Sequence, residues 1–347
     1  MKKDLFLNKQ GVTIHDVAAY AGVSSMTVSR VVNNSDRVSD KMRKRIEDVI
    51  KELNYIPNLA ARAARSGVQR IGIIFTNPDS SNLGGFLMGA LASASSLGCE
   101  LLIEPLVAHP SPMDALQALI DKGVHGVILP PPICDSLDVH QLARKNSVMV
   151  LSFASASPKL YSPAVLIDDF SGACAMTHYL IQLGHEKIAF IRGNESHSPA
   201  KGRYEGFVVA MNESNIKIND DWVLEGDFSY KRGMQLGKEL LDKPKNERPT
   251  AIFACNDDMA TAIIAVAHGL GLKVPEDISI AGFDDTAIAS AVWPQLTTIH
   301  QPIKDMAARA VKLLDELIKS DGKEQKVNHF IAPFELKERG STAPLQK

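Results

Sequence analysis

Apolar positions between residues 12 and 33, VTIHDVAAYAGVSSMTVSRVVN, fall into two short stripes separated by a corner. Ile14, Val17, Ala18 and Ala21 recur at i, i+3, i+4 and i+7, the spacing of one helix face. Thr13 followed three residues later by Asp16 has the form of a helix start, with Asp a weaker partner than Glu. Gly22 stands where that helix must stop, because a residue without Cβ takes a left-handed cap at no steric cost. Ser24 or Ser25 can cap the next helix. In it Val28, Val31 and Val32 face inward, leaving Ser25, Met26, Ser29, Arg30 and Asn33 outside. A third stripe, Met42, Ile46, Val49, Ile50 and Leu53, predicts a helix over 39–53 capped by Ser39, with Lys41, Arg43, Lys44, Arg45 and Lys51 mostly on its outer side. Three such helices close a shared core of about fifty residues, a unit that is marginal alone and gains from attachment to a larger body.

Pro57 disfavours helix at Ile56 and suits the first turn of a new one. The segment that follows, LAARAARSG, has high helix propensity but is too short to be stable in isolation. It reads either as a flexible linker or as a segment that becomes helical only on binding. From Arg70 the periodicity changes. Short apolar runs at 71–75, 100–106, 126–129, 148–153, 187–191, 251–254 and 278–281 predict strands. Helical stretches at 86–97, 171–183, 202–211, 233–241 and 259–269 alternate with them, and 77–83 is a polar loop. This β-α alternation predicts parallel sheets covered on both faces, with ligands bound beyond the carboxyl ends of the strands. The length of this part favours two lobes with a cleft between them.

The 347 residues exceed one average domain, and no run reaches the roughly 18 apolar residues of a membrane span. The start, MKKDLFLNKQG, lacks the roughly 7–15 residue apolar core of a signal peptide, so a cytoplasmic protein is expected. Cys99, Cys134, Cys174 and Cys255 form no CxxC pair and read as free buried thiols, with neither disulfide nor metal site. The net charge of −2 is unevenly spread. Residues 1–70 hold 13 Lys and Arg against 7 Asp and Glu, and the rest holds 25 against 33. A basic head on an acidic body points to an anionic partner for the head alone. The outer face of the second helix is small, polar and singly basic, as a helix laid in a DNA major groove should be; an ordinary helical hairpin has the same stripes. Enzyme motifs are missing: there is no GxSxG, HEKIA lacks the second His of HExxH, and GMQLGK is one residue short of a phosphate loop. No enzyme activity, cofactor or metal is expected.

These residues carry a family resemblance. The head, together with VSDKMRKRIEDVIKELNYIPNLAAR, closely resembles the DNA-binding head of the lactose- and galactose-repressor (LacI/GalR) regulators. RIGIIF, LGHEKIAFIRG, RYEGF, IFACNDDMA, VPEDISIAGFDDTAIAS, LTTIHQPI and LKERGST follow in the family's order, so the resemblance spans nearly the whole chain from Gly11 to Thr342. It implies an all-α helix-turn-helix head (1–56), a hinge (57–69) and an α/β two-lobed, periplasmic-binding-protein-like core (70–342). The chain would cross three times between a first lobe of about 70–166 and 299–325 and a second of about 167–298 and 326–342. The long heptad tail of tetrameric members is not visible after Leu336. A homodimer on a palindromic double-stranded operator is implied, with a small sugar or sugar derivative in the cleft controlling repression of carbohydrate-utilisation genes. A nucleobase or other non-sugar effector, or a small-molecule binding protein without regulatory role, is the alternative.

By motif, Ser25 and Met26 match the family's base-reading positions and Arg30 the next basic one. Thr13, Ser24, Thr27, Ser29, Asn33 and Ser39 match contacts to the DNA backbone, and Arg62 and Ala64 lie in the hinge. Arg203, Asn256 and Asp284 match positions that hydrogen-bond the effector, Phe228 lies where an aromatic stacks on a sugar ring, and Asp79 is a further candidate. Other roles stay open: Asn256, Asp257, Asp284 or Asp285 as helix caps, Phe228 as core. Trp293 reads as core and His185 as a satisfied turn histidine. Two residues depart from the family pattern. Phe153 stands where many members have an acidic effector contact, and Ala64 where most have a hinge leucine.

Overall fold

A computed structural model describes residues 12–32, 37–53, 55, 68–156, 162–320 and 329–346. The chain forms two units, 1–65 and 66–347.

In the head, Thr13 and Asp16 form a reciprocal cap on α1 (Ile14–Ala21). Asp16 Oδ2 accepts from the Thr13 backbone N–H at 2.9 Å, and the Thr13 hydroxyl accepts from the Asp16 N–H at 3.3 Å. The shorter Asp therefore completes the motif. Gly22 ends α1 at φ 66°, and the Ser24 hydroxyl accepts from Thr27 N–H at 3.2 Å to start α2 (Ser25–Val32). Ser39 precedes α3 (Asp40–Glu52), but its side chain makes no capping hydrogen bond, contrary to expectation. Val17, Ala21, Val28, Val31, Ile46 and Leu53 are buried in one core, which Tyr55 completes. Val32, Met42 and Ile50 are half-buried at its margin, the reduced burial expected of so small a unit.

In the larger unit β1 (Arg70–Phe75), α4 (Asn82–Leu97), β2 (Glu100–Pro105), α5 (Pro112–Asp121), β3 (Gly126–Leu129), α6 (Leu137–Lys145), β4 (Met149–Phe153) and β5 (Ala164–Ile167) build the first lobe. The second lobe is α7 (Asp169–Gln182), β6 (Ile188–Ile191), α8 (Ser198–Glu213), β7 (Val223–Leu224), α9 (Tyr230–Leu241), β8 (Ala251–Ala254), α10 (Asp257–Gly269), β9 (Ser279–Asp284), α11 (Ala287–Ala291) and β10 (Thr297–His300). The chain then returns through α12 (Ile303–Lys319) and β11 (His329–Ala332) to the first lobe, and ends with β12 (Glu335–Lys337) in the second.

The sheets run β11-β5-β4-β3-β1-β2 and β12-β10-β9-β8-β6-β7. All pairings are parallel except β10 with β12. The central strands β3, β6 and β8 are buried at every residue, which is why they read as unbroken apolar runs. The lobe limits need correction. β10 pairs with β9 through His300, and β11 pairs with β5, so the third crossing falls after Ala332 rather than near residue 325. The pairing of β11 with a strand more than 160 positions earlier leaves no local mark in the sequence.

Trp293 also corrects its reading: it is 82% exposed, while Leu296 enters the core of the second lobe. All four cysteines are free, but only Cys134 and Cys255 are buried; Cys99 and Cys174 are half-buried. His185 is satisfied as expected, its Nδ1 paired with the Thr250 hydroxyl at 3.0 Å and its Nε2 with the Ser279 hydroxyl and Ala343 carbonyl at 3.1 Å. Among the described residues no helix is long and apolar enough to cross a membrane, and no cluster of His, Cys, Asp and Glu could hold a metal ion.

Candidate functional site

On the head, packing of Val28 and Val31 turns the opposite side of α2 outward. Met26 is 62% exposed and Arg30 is exposed one turn later, its Nη2 lying 3.6 Å from Met26 Sδ. Ser25, Thr27 and Ser29 are half-buried beside them, and Thr13, Ser24 and Ser39 are exposed. The Ser24 and Thr27 hydroxyls are 2.9 Å apart and hydrogen-bonded. The expected Asn33, Arg62 and Ala64 lie outside the described residues.

In the larger unit a cavity of about 190 Å³ opens beyond the carboxyl ends of strands from both lobes. Phe75, Pro130 and Phe153 with Ala154 mark the ends of β1, β3 and β4; Asn256, Asp284 and Gln301 mark those of β8, β9 and β10. Arg203, Phe228, Asn256 and Asp284 all line it. Asp79 does not: it is exposed, in a turn where its backbone N–H donates to Asn77 Oδ1 at 3.1 Å.

Arg203 is held from three sides. Its Nε donates to Asp169 Oδ1 at 2.8 Å, its Nη1 donates to the Cys255 carbonyl at 2.5 Å, and its guanidinium carbon lies 3.7 Å above the Phe283 ring. Asp284 Oδ1 is 3.4 Å from Nη1, close enough for an ion pair but without a hydrogen bond. Burial works against the charge of Arg203, but Asp169 and Asp284 outweigh it and hold the pKa above the ordinary arginine range. Burial pushes both carboxyls upward, opposed by Arg203.

Asp284 ends β9 at φ 120°, and its Oδ2 accepts from Asn82 Nδ2 at 2.8 Å. This bond joins the lobes. So do Ser81, whose backbone N–H and hydroxyl both donate to Asp258, and Ser198, whose hydroxyl accepts from the Ala156 N–H at 3.1 Å.

Asn256 performs its alternative role as a cap, its Oδ1 accepting from Met259 N–H at 3.1 Å. Its Nδ2 also donates to the Phe228 carbonyl at 2.9 Å, fixing a residue whose φ is 69°. The Phe228 ring lies over Gly193, where a Cβ would come within 2.1 Å of it, and 5.4 Å from the His197 ring. Asp257 and Asp285 are structural. Asp257 accepts from Thr298 and Thr286, and Asp285 pairs with Arg339 and His300.

Asn82, His197, Gln301 and Asp169 escaped the sequence reading. Asp169 was masked by Asp168, because an acidic pair before a helix reads as a cap; Asp168 is the cap, and Asp169 is free to hold Arg203. Asn82 lies in a polar loop outside every quoted motif, and Gln301 lies within LTTIHQPI but was given no role there; chain crossings bring both to the cleft.

The comparisons agree with both units. Residues 13–58 match the family model described as bacterial regulatory proteins, lacI family, and residues 177–342 match a periplasmic binding protein-like domain. The chain is 37% identical to the HTH-type transcriptional regulator DegA of Bacillus subtilis (strain 168), over 96% of this chain and 98% of that one. It is 36% identical to the HTH-type transcriptional repressor PurR of Pasteurella multocida (strain Pm70), over 91% and 94%. Among solved structures, a transcriptional regulator CelR–cellobiose complex superimposes with a TM-score of 0.71 at 27% identity, covering 95% of this chain and 99% of that one. With a helix-turn-helix head and a two-lobed core that encloses a cleft, the chain belongs to the lacI family of bacterial regulatory proteins and is a DNA-binding transcriptional regulator.

Proposed function

We propose that this regulator is a homodimeric repressor of carbohydrate-utilisation genes whose grip on a palindromic operator is controlled by a sugar-like effector in the interlobe cleft. The observation that carries the reading is a cleft with a fixed guanidinium, four amide side chains, a buried carboxylate and a half-buried aromatic ring, the combination a polyhydroxylated ring needs. The similarity to a regulator in complex with cellobiose supports a sugar. The relation to PurR keeps a nucleobase as the competing effector.

On the head, Ser25, Met26 and Arg30 read bases, while Thr13, Ser24, Thr27, Ser29, Asn33 and Ser39 contact phosphates. Arg30 supplies the bidentate donor pair that guanine O6 and N7 accept. Genome-wide mapping of bound sites, followed by calorimetry with sugars and nucleobases, tests the proposal. Palindromic sites beside carbohydrate genes, with a sugar bound in the cleft, are expected. Sites beside purine genes, with a nucleobase bound, would replace the sugar reading.

A further inference from the structure

We infer that the core carries a second ligand site, separate from the cleft that holds Arg203, and that it takes a small primary amine with an apolar body.

A cavity of about 250 Å³ lies between the lobes beside the chain crossings. Among the described residues none borders both cavities: Arg203 lines the cleft, and Asp169, which holds it, lines the second space. From the first lobe come Ala156, Leu166 and Ile167, with Ile331 paired beside Leu166 in the β5–β11 register. From the second come Asp168, Asp169 and Phe170 at the start of α7, and Gly202 and Glu205 on α8. Phe170 and Ile331 are exposed, so apolar area is left for a ligand to cover. Gly202 opens the α8 side: an added Cβ would meet Asp169 and Ala156 only at 3.4 and 3.5 Å.

The ionisable lining is entirely acidic. Asp168 spends both oxygens on Ser171, one on its N–H and one on its hydroxyl. Glu205 is exposed, with Lys201 Nζ 3.8 Å away in water, a pairing worth little. Asp169 makes the specific demand. It is 3% exposed; its Oδ1 accepts from Arg203 Nε, and its Oδ2 has no hydrogen-bond partner among the described residues. A buried acceptor left unpaired is costly. Burial pushes this carboxyl upward, and Arg203 opposes the rise without cancelling it. One guanidinium therefore undercompensates the buried charge. An ammonium brings three donors and no acceptor, the complement of such a wall. A metal ion fits less well, because the described carboxylates form no group that could ligate one. The carboxylate that receives the ammonium also orients Arg203, so occupancy of this site reaches the cleft through one side chain.

The test is calorimetry on the full chain at neutral pH with phenethylamine, its neutral counterpart 2-phenylethanol, and methylamine. Phenethylamine should bind once per chain. The alcohol should be weaker by about tenfold, the value of a charge-assisted hydrogen bond. Methylamine, which covers none of the apolar wall, should also be weaker. Glu205→Gln should lower phenethylamine affinity severalfold. Gly202→Leu, which fills the space and keeps every carboxylate, should abolish binding. No binding of phenethylamine, equal binding of the alcohol or of methylamine, or an affinity unchanged in both variants each overturns the inference. No effector enters the test, so its outcome is independent of the sugar reading.

Discussion

Asn82, at the first turn of α4 in the first lobe, donates its amide to Asp284, at the end of β9 in the second, across 2.8 Å. The same carboxylate faces Arg203 and lines the cavity, so one side chain both joins the lobes and borders the proposed effector site. Asn82→Ala should weaken closure of the free protein by about 1.5–3 kcal/mol, the value of a hydrogen bond to a charged group. Fluorescence transfer between dyes on the two lobes checks this. Transfer identical to that of the parent would show that Ser81, Ser198 and packing hold the lobes without Asn82.

Arg203→Ala and Asp284→Asn separate folding from effector response. Removing the guanidinium leaves Asp169 and Asp284 buried beside each other without compensation, a change that costs about 3–5 kcal/mol. Arg203→Ala should therefore unfold at lower temperature as well as lose effector response. Asp284→Asn keeps the shape and should retain operator binding while the effector no longer changes it. Undiminished effector binding to Asp284→Asn, measured by calorimetry, would remove Asp284 from the site.

Arg30→Ala should weaken operator binding by about 1–3 kcal/mol while non-specific binding changes less. Titration of operator and scrambled duplexes at several salt concentrations distinguishes the two. Equal losses on both duplexes would make Arg30 a phosphate contact instead of a base reader.

In the hinge that the family resemblance implies, Ala64 offers one methyl group where that resemblance places leucine, too little to wedge between base pairs. A shallow operator bend is expected, with more of the affinity carried by arginines such as Arg62. Ala64→Leu should increase both bend and affinity. Energy transfer between labelled DNA ends reports the bend; a large bend with Ala64, unchanged by leucine, would assign the wedge to another residue.

His185 gives the second lobe an acid sensitivity of known sign. Burial lowers its pKa, opposed by the Ala343 carbonyl, so the fold favours the neutral ring while the unfolded chain takes up a proton near pH 6.5. Its contribution is present above that pH and is lost as pH falls toward the folded pKa. Thermal unfolding should show the melting temperature dropping below about pH 6.5, with a shallower drop in His185→Gln. Parallel pH curves for parent and variant would place the sensitivity elsewhere.

The sequence by itself determined the features that local periodicity encodes. The valines and alanines of the first two helices predicted which residues form the head's core, and Gly22 marked the corner. The runs at 126–129 and 251–254 are the observed strands residue for residue, because a strand buried on both faces has no polar alternation to blur it. Arg203, Asn256 and Asp284 were readable as cavity residues because each lies in a motif that carries the family resemblance, and Phe228 because it stands where the resemblance places an aromatic.

Tertiary structure alone decided what depends on contacts distant in sequence. Asn82 and Asp284 are 202 positions apart, and nothing within NLGG or GFDD records their bond. The exposure of Trp293, the membership of β11 in the first lobe and the facing of Phe153 by polar groups of the second lobe have the same origin. Hydrophobicity sets a residue's preference for burial, but only the packed chain fixes which surfaces meet, and in this molecule the three crossings between lobes decide that.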